Sequence, residues 1–296
     1  MNTLFSNQAF DESCADVEDA KATSVPCHDF AQLSPDTVFD AMHAAGYQCD
    51  GRLLALNSYE NRVYQLGVED APPLVVKFYR PRRWTDAQIL EEHAFVDALH
   101  QAEIPAVPAL RDPDGKCLQQ FGEFRFAVFP CQGGRAPELD RVDTVERLGR
   151  FIARLHAVGA LQPYQHRPSI NCQSFGRDSL RYLLSHHCIP GDILPAYQAA
   201  AELMLKGVDA CYERAGDVAT LRLHGDCHMG NVLWTETGAH PGPHFVDFDD
   251  SRMGPAIQDL WMLLSGSRIE MQNQMCDIVT AYEEFYTFNP RELHLI

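Results

Sequence analysis

The stretch that decides the fold is LHGDCHMGNVLW, residues 223–234, followed after a short gap by FVDFDDS, residues 245–251. It places Asp226 shortly before Asn231, and a short apolar run follows the Asn. Because two strand ends joined by a turn lie close together, we expect Asp226, Asn231 and Asp247 to converge. A carboxylate can orient and deprotonate an acceptor hydroxyl, and amide and carboxylate oxygens suit Mg²⁺. The pattern therefore predicts a site for phosphoryl transfer.

The first half of the chain has the pattern of an antiparallel sheet with two helices. One begins at Ser34-Pro35, and the other covers Asp86–Gln101. Ser34 fits the cap of a helix and Pro35 fits its first turn, whereas the second helix has apolar residues at helical spacing. Period-two alternation and turn residues predict strands. These cover Arg52–Leu56, Arg62–Val68, Leu74–Tyr79, Ile104–Leu110, Gln119–Phe121 and Glu123–Phe129.

The segment Pro130–Gly134 interrupts this pattern and is the candidate hinge between two lobes. After it, the periodicity becomes mainly helical. The predicted helices are Asp143–Val158, Ser179–His187, Pro195–Arg214, Asp259–Leu264 and Glu270–Phe285, and the predicted short strands are Leu221–Leu223, Val232–Trp234 and His244–Phe248. We therefore predict an α+β fold with a loose acidic extension over 1–32, a sheet lobe over 33–130 and a mainly helical lobe over 131–296.

The net charge of the chain limits which kinds of partner it is expected to bind. The chain has 24 Lys and Arg against 41 Asp and Glu, a formal charge of −17. Such an acidic surface repels phosphate backbones and anionic lipid, so nucleic acid and membrane are not expected partners. The ten cysteines form no CxxC pair, and the N-terminus has neither the basic start nor the apolar run of a targeting peptide. We expect reduced thiols and a cytoplasmic location.

The order HGDxHxxN and then VDxD resembles the aminoglycoside and choline phosphotransferase superfamily, which is related to the protein kinases. Four further stretches resemble the bacterial stress response kinase A family, and the likeness runs from about Leu33 to the end. They are LNSYENRVY at 56–64, VVKFYRP at 75–81, LEEH at 90–93 and DLWMLL at 259–264. This resemblance implies a protein-kinase-like bilobal fold, ATP and Mg²⁺ as cofactors, and protein serine or threonine hydroxyls as acceptors.

The resemblance also implies roles for single residues at the centre of the site. Asp226 would be the catalytic base, and Asn231 and Asp247 would bind Mg²⁺. Lys77 would hold the α- and β-phosphates of ATP. Glu92 on the following helix would orient Lys77 through an ion pair, although the adjacent Glu91 could take that part, since a helix turns the two about 100° apart.

Other implied roles lie around this centre. Ser58 and Asn61 would belong to the turn that covers the phosphates, where no GxGxxG pattern is found. The backbone of Phe129–Cys131 would face adenine, and Asp259 would accept hydrogen bonds from the backbone of the catalytic loop. Members of the resembled family continue with further helices beyond the position of Ile296, so we expect the second lobe to be truncated or incomplete.

Three other functions fit part of the pattern. A small-molecule kinase acting on an amino alcohol or aminosugar would suit the acidic charge, because such acceptors are cationic. A pseudokinase would bind nucleotide without turnover. The order HxDxH around Asp226 could instead belong to a metal hydrolase, with His240 and His244 as further ligands.

Overall fold

The computed structural model describes residues 30–139, 141–237 and 241–296. The predicted acidic extension, 1–32, lies almost wholly outside the described residues. Helix α1 spans Pro35–Ala44, and its cap is the predicted one: the Thr37 N–H donates to the Ser34 hydroxyl at 3.1 Å. Helix α2 spans Asp86–Gln101 and begins with a capping box between Thr85 and Gln88.

A five-stranded antiparallel sheet, in the order β1-β2-β3-β5-β4, forms the N-terminal lobe. Its strands are β1 Cys49–Leu56, β2 Arg62–Val68, β3 Ala71–Phe78, β4 Gln119–Phe121 and β5 Phe124–Pro130. In this register Lys77 stands opposite Val63 on β2 and Ala127 on β5. The predicted lysine is therefore on the central strand, where neighbours fix its direction on both sides.

The prediction of a strand over Ile104–Leu110 is wrong. In this segment Ala106 forms only an isolated bridge to Phe245. Pro105 and Pro108 have no backbone N–H to give to a ladder, so the segment runs extended without pairing along its length.

The C-terminal lobe is mainly helical, as predicted. Its helices are α3 Val142–Gly159, α4 Asp178–Ser185, α5 Leu194–Ala215, α6 Ile257–Trp261 and α7 Arg268–Tyr282, and a π-helical turn at Cys172–Arg177 leads into α4. Two short two-stranded sheets carry the quoted stretch. Strand β6 Leu221–Arg222 pairs with β9 Met253–Gly254, and β7 Val232–Thr235 pairs with β8 Gly242–Phe245. No helix of the described chain is long and apolar enough to cross a bilayer.

Strand β8 ends earlier than the predicted His244–Phe248. Asp247 adopts a left-handed backbone, with φ 60° and ψ 66°, and a single 3₁₀ turn follows over Phe248–Asp250. This conformation breaks the extended chain and is uncommon for a residue with a side chain. It turns the Asp247 carboxylate away from the strand direction at the place where the site was predicted.

Helix α2 lies where the two lobes meet. Near its start, Ile89 packs with residues under the sheet, such as Tyr79 and Ala127. Farther along, Phe95 and Leu99 belong to the core of the helical lobe. The middle of the helix, where Glu92 stands, is thereby held between the lobes.

Candidate active site

The loop before β7 is held from beneath by Asp259, which is fully buried. Its carboxylate accepts the backbone N–H groups of His224 at 2.7 Å and Gly225 at 2.8 Å, and it lies 3.0 Å from His156 Nε2. Burial alone would raise the pKa of Asp259, but the hydrogen bond and charge of His156 outweigh it and the pKa is lowered. The predicted structural role of Asp259 is confirmed.

His224 connects this loop to the segment that contains Asp247. The Asp226 N–H donates to His224 Nδ1 at 3.3 Å, so Nε2 carries the ring proton and donates it to the Val246 carbonyl at 2.9 Å. This histidine therefore supports the loop through hydrogen bonds on both ring nitrogens. The contact places the residue before Asp247 directly over the catalytic loop.

Asp226 and Asn231 are in direct contact. The Asn231 side-chain N–H₂ donates to the Asp226 backbone carbonyl at 2.9 Å and to its carboxylate at 3.2 Å. Because the nitrogen is used in this way, the amide oxygen of Asn231 is the atom that would face a metal. The Asn231 carbonyl accepts the Val246 N–H at 3.1 Å, which joins this pair to the strand before Asp247.

Lys77 reaches the site from the other lobe. Its ammonium lies 2.9 Å from Asp247 Oδ1 and 3.1 Å from Asp249 Oδ1, and only 7% of its side chain is exposed. Burial would lower the pKa of Lys77, but Asp247, Asp249 and Glu92 outweigh burial and raise it well above its ordinary value. The lysine is therefore a fixed positive charge beside the candidate metal ligands.

Asp249 is the buried member of this group. Burial would raise the pKa of its carboxyl, but Lys77 and Arg83 outweigh burial and lower it to about 2. Arg83 Nε lies 3.1 Å from Asp249 Oδ2. Asp249 therefore stays ionised and balances both cations.

The structure gives Glu92 a partner other than the predicted one. Glu92 is buried in the same cavity as Lys77, but its carboxylate accepts from Arg167 at 2.9 Å. Glu91 accepts the backbone N–H groups of Gln165, His166 and Arg167 at 2.6–3.0 Å. Lys77 pairs with two aspartates in place of either glutamate, and Glu92 acts on it through its charge.

A cavity of about 480 Å³ lies between the lobes. Val63, Val75 and Leu233 give it apolar walls, as an adenine site requires. Six of the predicted site residues line it: Lys77, Glu92, Phe129, Cys131, Asn231 and Asp247. The Cys131 N–H donates to the Pro73 carbonyl at 3.3 Å and would have to leave that bond to donate to adenine.

The predicted covering turn closes on itself. The Ser58 hydroxyl accepts the Asn61 N–H at 3.3 Å, and the buried Asn61 side chain accepts the Arg80 N–H at 3.1 Å. Neither residue lines the cavity. Glu60, between them, is held by Arg80 and Arg83, each at 2.7 Å. Contact of Ser58 or Asn61 with a phosphate stays a prediction.

The geometry disfavours the metal-hydrolase alternative. Within the described ranges, no group of three His, Cys, Asp or Glu is placed to hold a metal ion. His228 Nδ1 accepts the Gly230 N–H at 2.9 Å, and His244 sits on β8. His240 lies outside the described residues.

The residues present fit Mg²⁺ and a nucleotide. Asp247 and Asp249 bring two carboxylates to one buried lysine, and a third carboxylate, that of Asp226, lies against Asn231; this excess of negative charge favours a divalent cation. In the described part of the chain, the buried Asp249 Oδ1 has no hydrogen-bond donor beyond its ion pair with Lys77. Asp247 is 45% exposed, so its carboxylate can reach a ligand in the cavity.

Sequence reasoning missed three residues of this site. Asp249 stood in the quoted VDxD pattern, which could have indicated it. Arg83 and Arg167 gave no such signal, because their partners lie far away in sequence.

Comparison with known proteins identifies the family. A model described as "Phosphotransferase enzyme family" matches residues 52–296. The chain belongs to this family. It is 44% identical over 267 residues to stress response kinase A of Escherichia coli strain K12, covering 90% of this chain and 79% of that protein. It is 43% identical, with the same coverage, to the serine/threonine protein kinase RdoA of Salmonella typhimurium.

Solved phosphotransferases share the fold. An amicoumacin kinase in complex with AMP-PNP and Ca²⁺ matches with a TM-score of 0.71 and 19% identity, covering 90% of this chain and 83% of that one. A microcompartment-associated aminopropanol kinase matches with a TM-score of 0.66 and 17% identity, covering 87% and 83%. The predicted protein-kinase-like fold is confirmed.

Proposed function

We propose that this chain is an ATP- and Mg²⁺-dependent kinase that phosphorylates serine or threonine hydroxyls of proteins. The observation that carries the proposal is that Lys77, Asn231 and Asp247 line one inter-lobe cavity, while the adjacent Asp226 is hydrogen-bonded to Asn231. The 44% identity to stress response kinase A supports a protein acceptor. We further propose a lobe boundary at 130/131 and a cytoplasmic location, in line with the eight described cysteines, which are all unpaired.

In the proposed mechanism Asp226 accepts the proton of the acceptor hydroxyl and orients it. Asn231 and Asp247 would hold Mg²⁺ through oxygen atoms, and Lys77 would leave its aspartate partners to bind phosphate oxygens. The bound Mg²⁺ supplies neutralisation of charge on the phosphates. The chain thereby contributes positioning and electrostatic stabilisation, which are the main components of phosphoryl-transfer catalysis.

The covering turn and the apolar walls complete the proposed nucleotide site. Phe129 and Cys131 border the adenine end, and the turn containing Ser58 and Asn61 borders the phosphate end. Closure over the phosphates would exclude water and strengthen each charge contact.

A small-molecule kinase is the second candidate, because the charge of −17 suits a cationic acceptor. The test is transfer of ³²P from γ-labelled ATP with Mg²⁺, offering a basic protein in one reaction and choline or homoserine in another. Label on serine or threonine of the protein supports the proposal. Label on the small molecule alone contradicts it in favour of the second candidate. AMP-PNP binding without any transfer would mean a pseudokinase.

A further inference from the structure

Arg167 lies in the loop after α3, and none of its side chain is exposed. Its Nη2 donates to the Glu92 carboxylate at 2.9 Å and its Nε donates to the Gln88 carbonyl at 2.8 Å. Both acceptors lie on α2. The guanidinium therefore attaches the loop to the middle of the inter-lobe helix.

The remaining hydrogen bonds of this guanidinium go to the segment that follows Asp247. Nη1 donates to the backbone carbonyls of Asp249 at 2.7 Å and Ser251 at 2.8 Å. One planar cation thus satisfies acceptors on both α2 and the segment 247–251. A lysine could not span these acceptors, because its ammonium is a single point and lacks the fork of the guanidinium.

The loop that presents Arg167 is itself fixed. Glu91 accepts its backbone N–H groups, and the guanidinium lies 4.5 Å from the ring centre of Trp84. The adjacent glutamates of α2 therefore hold one loop in two ways, Glu91 by its backbone and Glu92 by its arginine. Because these contacts fix Arg167, it cannot follow the Asp249 carbonyl if that carbonyl moves. Such a displacement would break a buried charge-assisted hydrogen bond.

We propose that Arg167 is a positioning residue that holds the segment 247–251 against α2 and thereby sets where Asp247 meets the metal. The inference rests on the proposed function, because Asp247 is a metal ligand only there. Asp247 precedes the clamped carbonyl of Asp249 by two residues and adopts a left-handed backbone. Such a backbone persists only when its surroundings fix it, and Arg167 provides that restraint.

The experiment is calorimetric binding of AMP-PNP to the full chain with and without Mg²⁺. Arg167→Lys keeps the charge but removes the fork. We expect the affinity for metal-free AMP-PNP to stay within about threefold of wild type. The Mg²⁺ strengthening, defined as the factor by which Mg²⁺ raises the affinity for AMP-PNP, should fall at least about tenfold, the usual effect of removing a residue that orients a metal ligand. A merely structural role would weaken both measurements together.

Arg154→Lys is the matched control. Arg154 also ties α2 to the helical lobe, donating to the Ala102 and Glu103 carbonyls at 3.0 and 3.3 Å, but beyond the other end of the helix. It should keep the strengthening within about twofold of wild type, since it contacts no part of the 247–251 segment. Loss equal to that of Arg167→Lys would overturn the proposal.

A double variant covers the case in which Arg167→Lys does not fold. Glu92→Gln with Arg167→Met leaves no unpaired charge in the buried site, a change that proteins often tolerate. It should show the same loss of at least about tenfold in Mg²⁺ strengthening. Unchanged strengthening in either folded variant contradicts the role of Arg167, whereas no Mg²⁺ strengthening in wild type contradicts the proposed function itself.

Discussion

The catalytic loop, 223–231, and the covering turn, 57–61, face the same cavity but are held in different ways. The loop rests on buried Asp259 and is tied through His224 to Val246, the residue before Asp247. The turn is held by contacts of its own Ser58 and Asn61 and by partly exposed ion pairs of Glu60, and Tyr59 at its tip is 93% exposed. The loop is preorganised for chemistry, and the turn is free to adapt to a nucleotide.

Asp226→Ala should have the largest effect on activity, because the loop exists to present this carboxylate. We expect phosphate transfer to fall at least about 100-fold, the usual contribution of a general base. AMP-PNP affinity should stay within about threefold, since Asp226 does not line the cavity. Asp40→Ala, an exposed change on α1, is the control. Full transfer by Asp226→Ala would mean that another group is the base.

Gly225→Ala tests how tightly the loop is packed. Gly225 has φ +88°, and an added Cβ would lie 2.1 Å from the Asp250 carbonyl oxygen. We expect a loss of about 2–4 kcal/mol in the free energy of unfolding in urea, from backbone strain plus the clash.

Gly51→Ala is the matched control, since Gly51 has φ +87° with nothing within 4 Å of an added Cβ. Its free energy of unfolding should fall only by the cost of backbone strain, about 1–2 kcal/mol. Equal losses at the two glycines would show that the loop accommodates the added Cβ without a clash.

Asp249 joins the two regions, because Arg83 contacts both it and Glu60 of the turn. The pKa of Asp249 is lowered from 3.8 to about 2, so its contribution to the free energy of unfolding is present above pH 4 and is lost as the pH falls toward 2. The shift corresponds to about 2 kcal/mol.

The measurement is the difference in unfolding free energy between wild type and Asp249→Asn, taken from pH 6 down to pH 3. The difference should shrink below pH 4, because the unfolded wild-type chain takes up a proton at Asp249 near its ordinary pKa of 3.8 while the folded chain stays ionised until about pH 2. A constant difference across that range would show that Lys77 and Arg83 do not lower the pKa of Asp249.

Ser58→Ala should have the smallest effect. Its hydroxyl accepts the Asn61 N–H in a long hydrogen bond of 3.3 Å, so we expect a loss of about 0.5 kcal/mol in the free energy of unfolding and less than about a threefold change in the KM for ATP. Asn61→Ala should cost more, about 1–3 kcal/mol, because the Arg80 N–H loses a buried acceptor. A larger effect at Ser58 would indicate direct phosphate contact.

The sequence predicted what depends on local patterns. The Ser34 cap and the antiparallel sheet were confirmed, and so was the support from Asp259, which the family resemblance implied. Two predictions were wrong. The prolines in Ile104–Leu110 prevented the predicted strand, although they were visible in the sequence. The partner of Glu92 is Arg167, which lies 75 residues away along the chain. Periodicity carries no information on such a long-range pairing.

The most direct test of the account is a crystal structure with AMP-PNP and Mg²⁺. The account predicts nucleotide in the inter-lobe cavity, the metal about 2.0–2.1 Å from oxygens of Asp247 and Asn231, and Lys77 Nζ on a phosphate oxygen. Nucleotide bound elsewhere, or a metal held without Asp247 and Asn231, would contradict it.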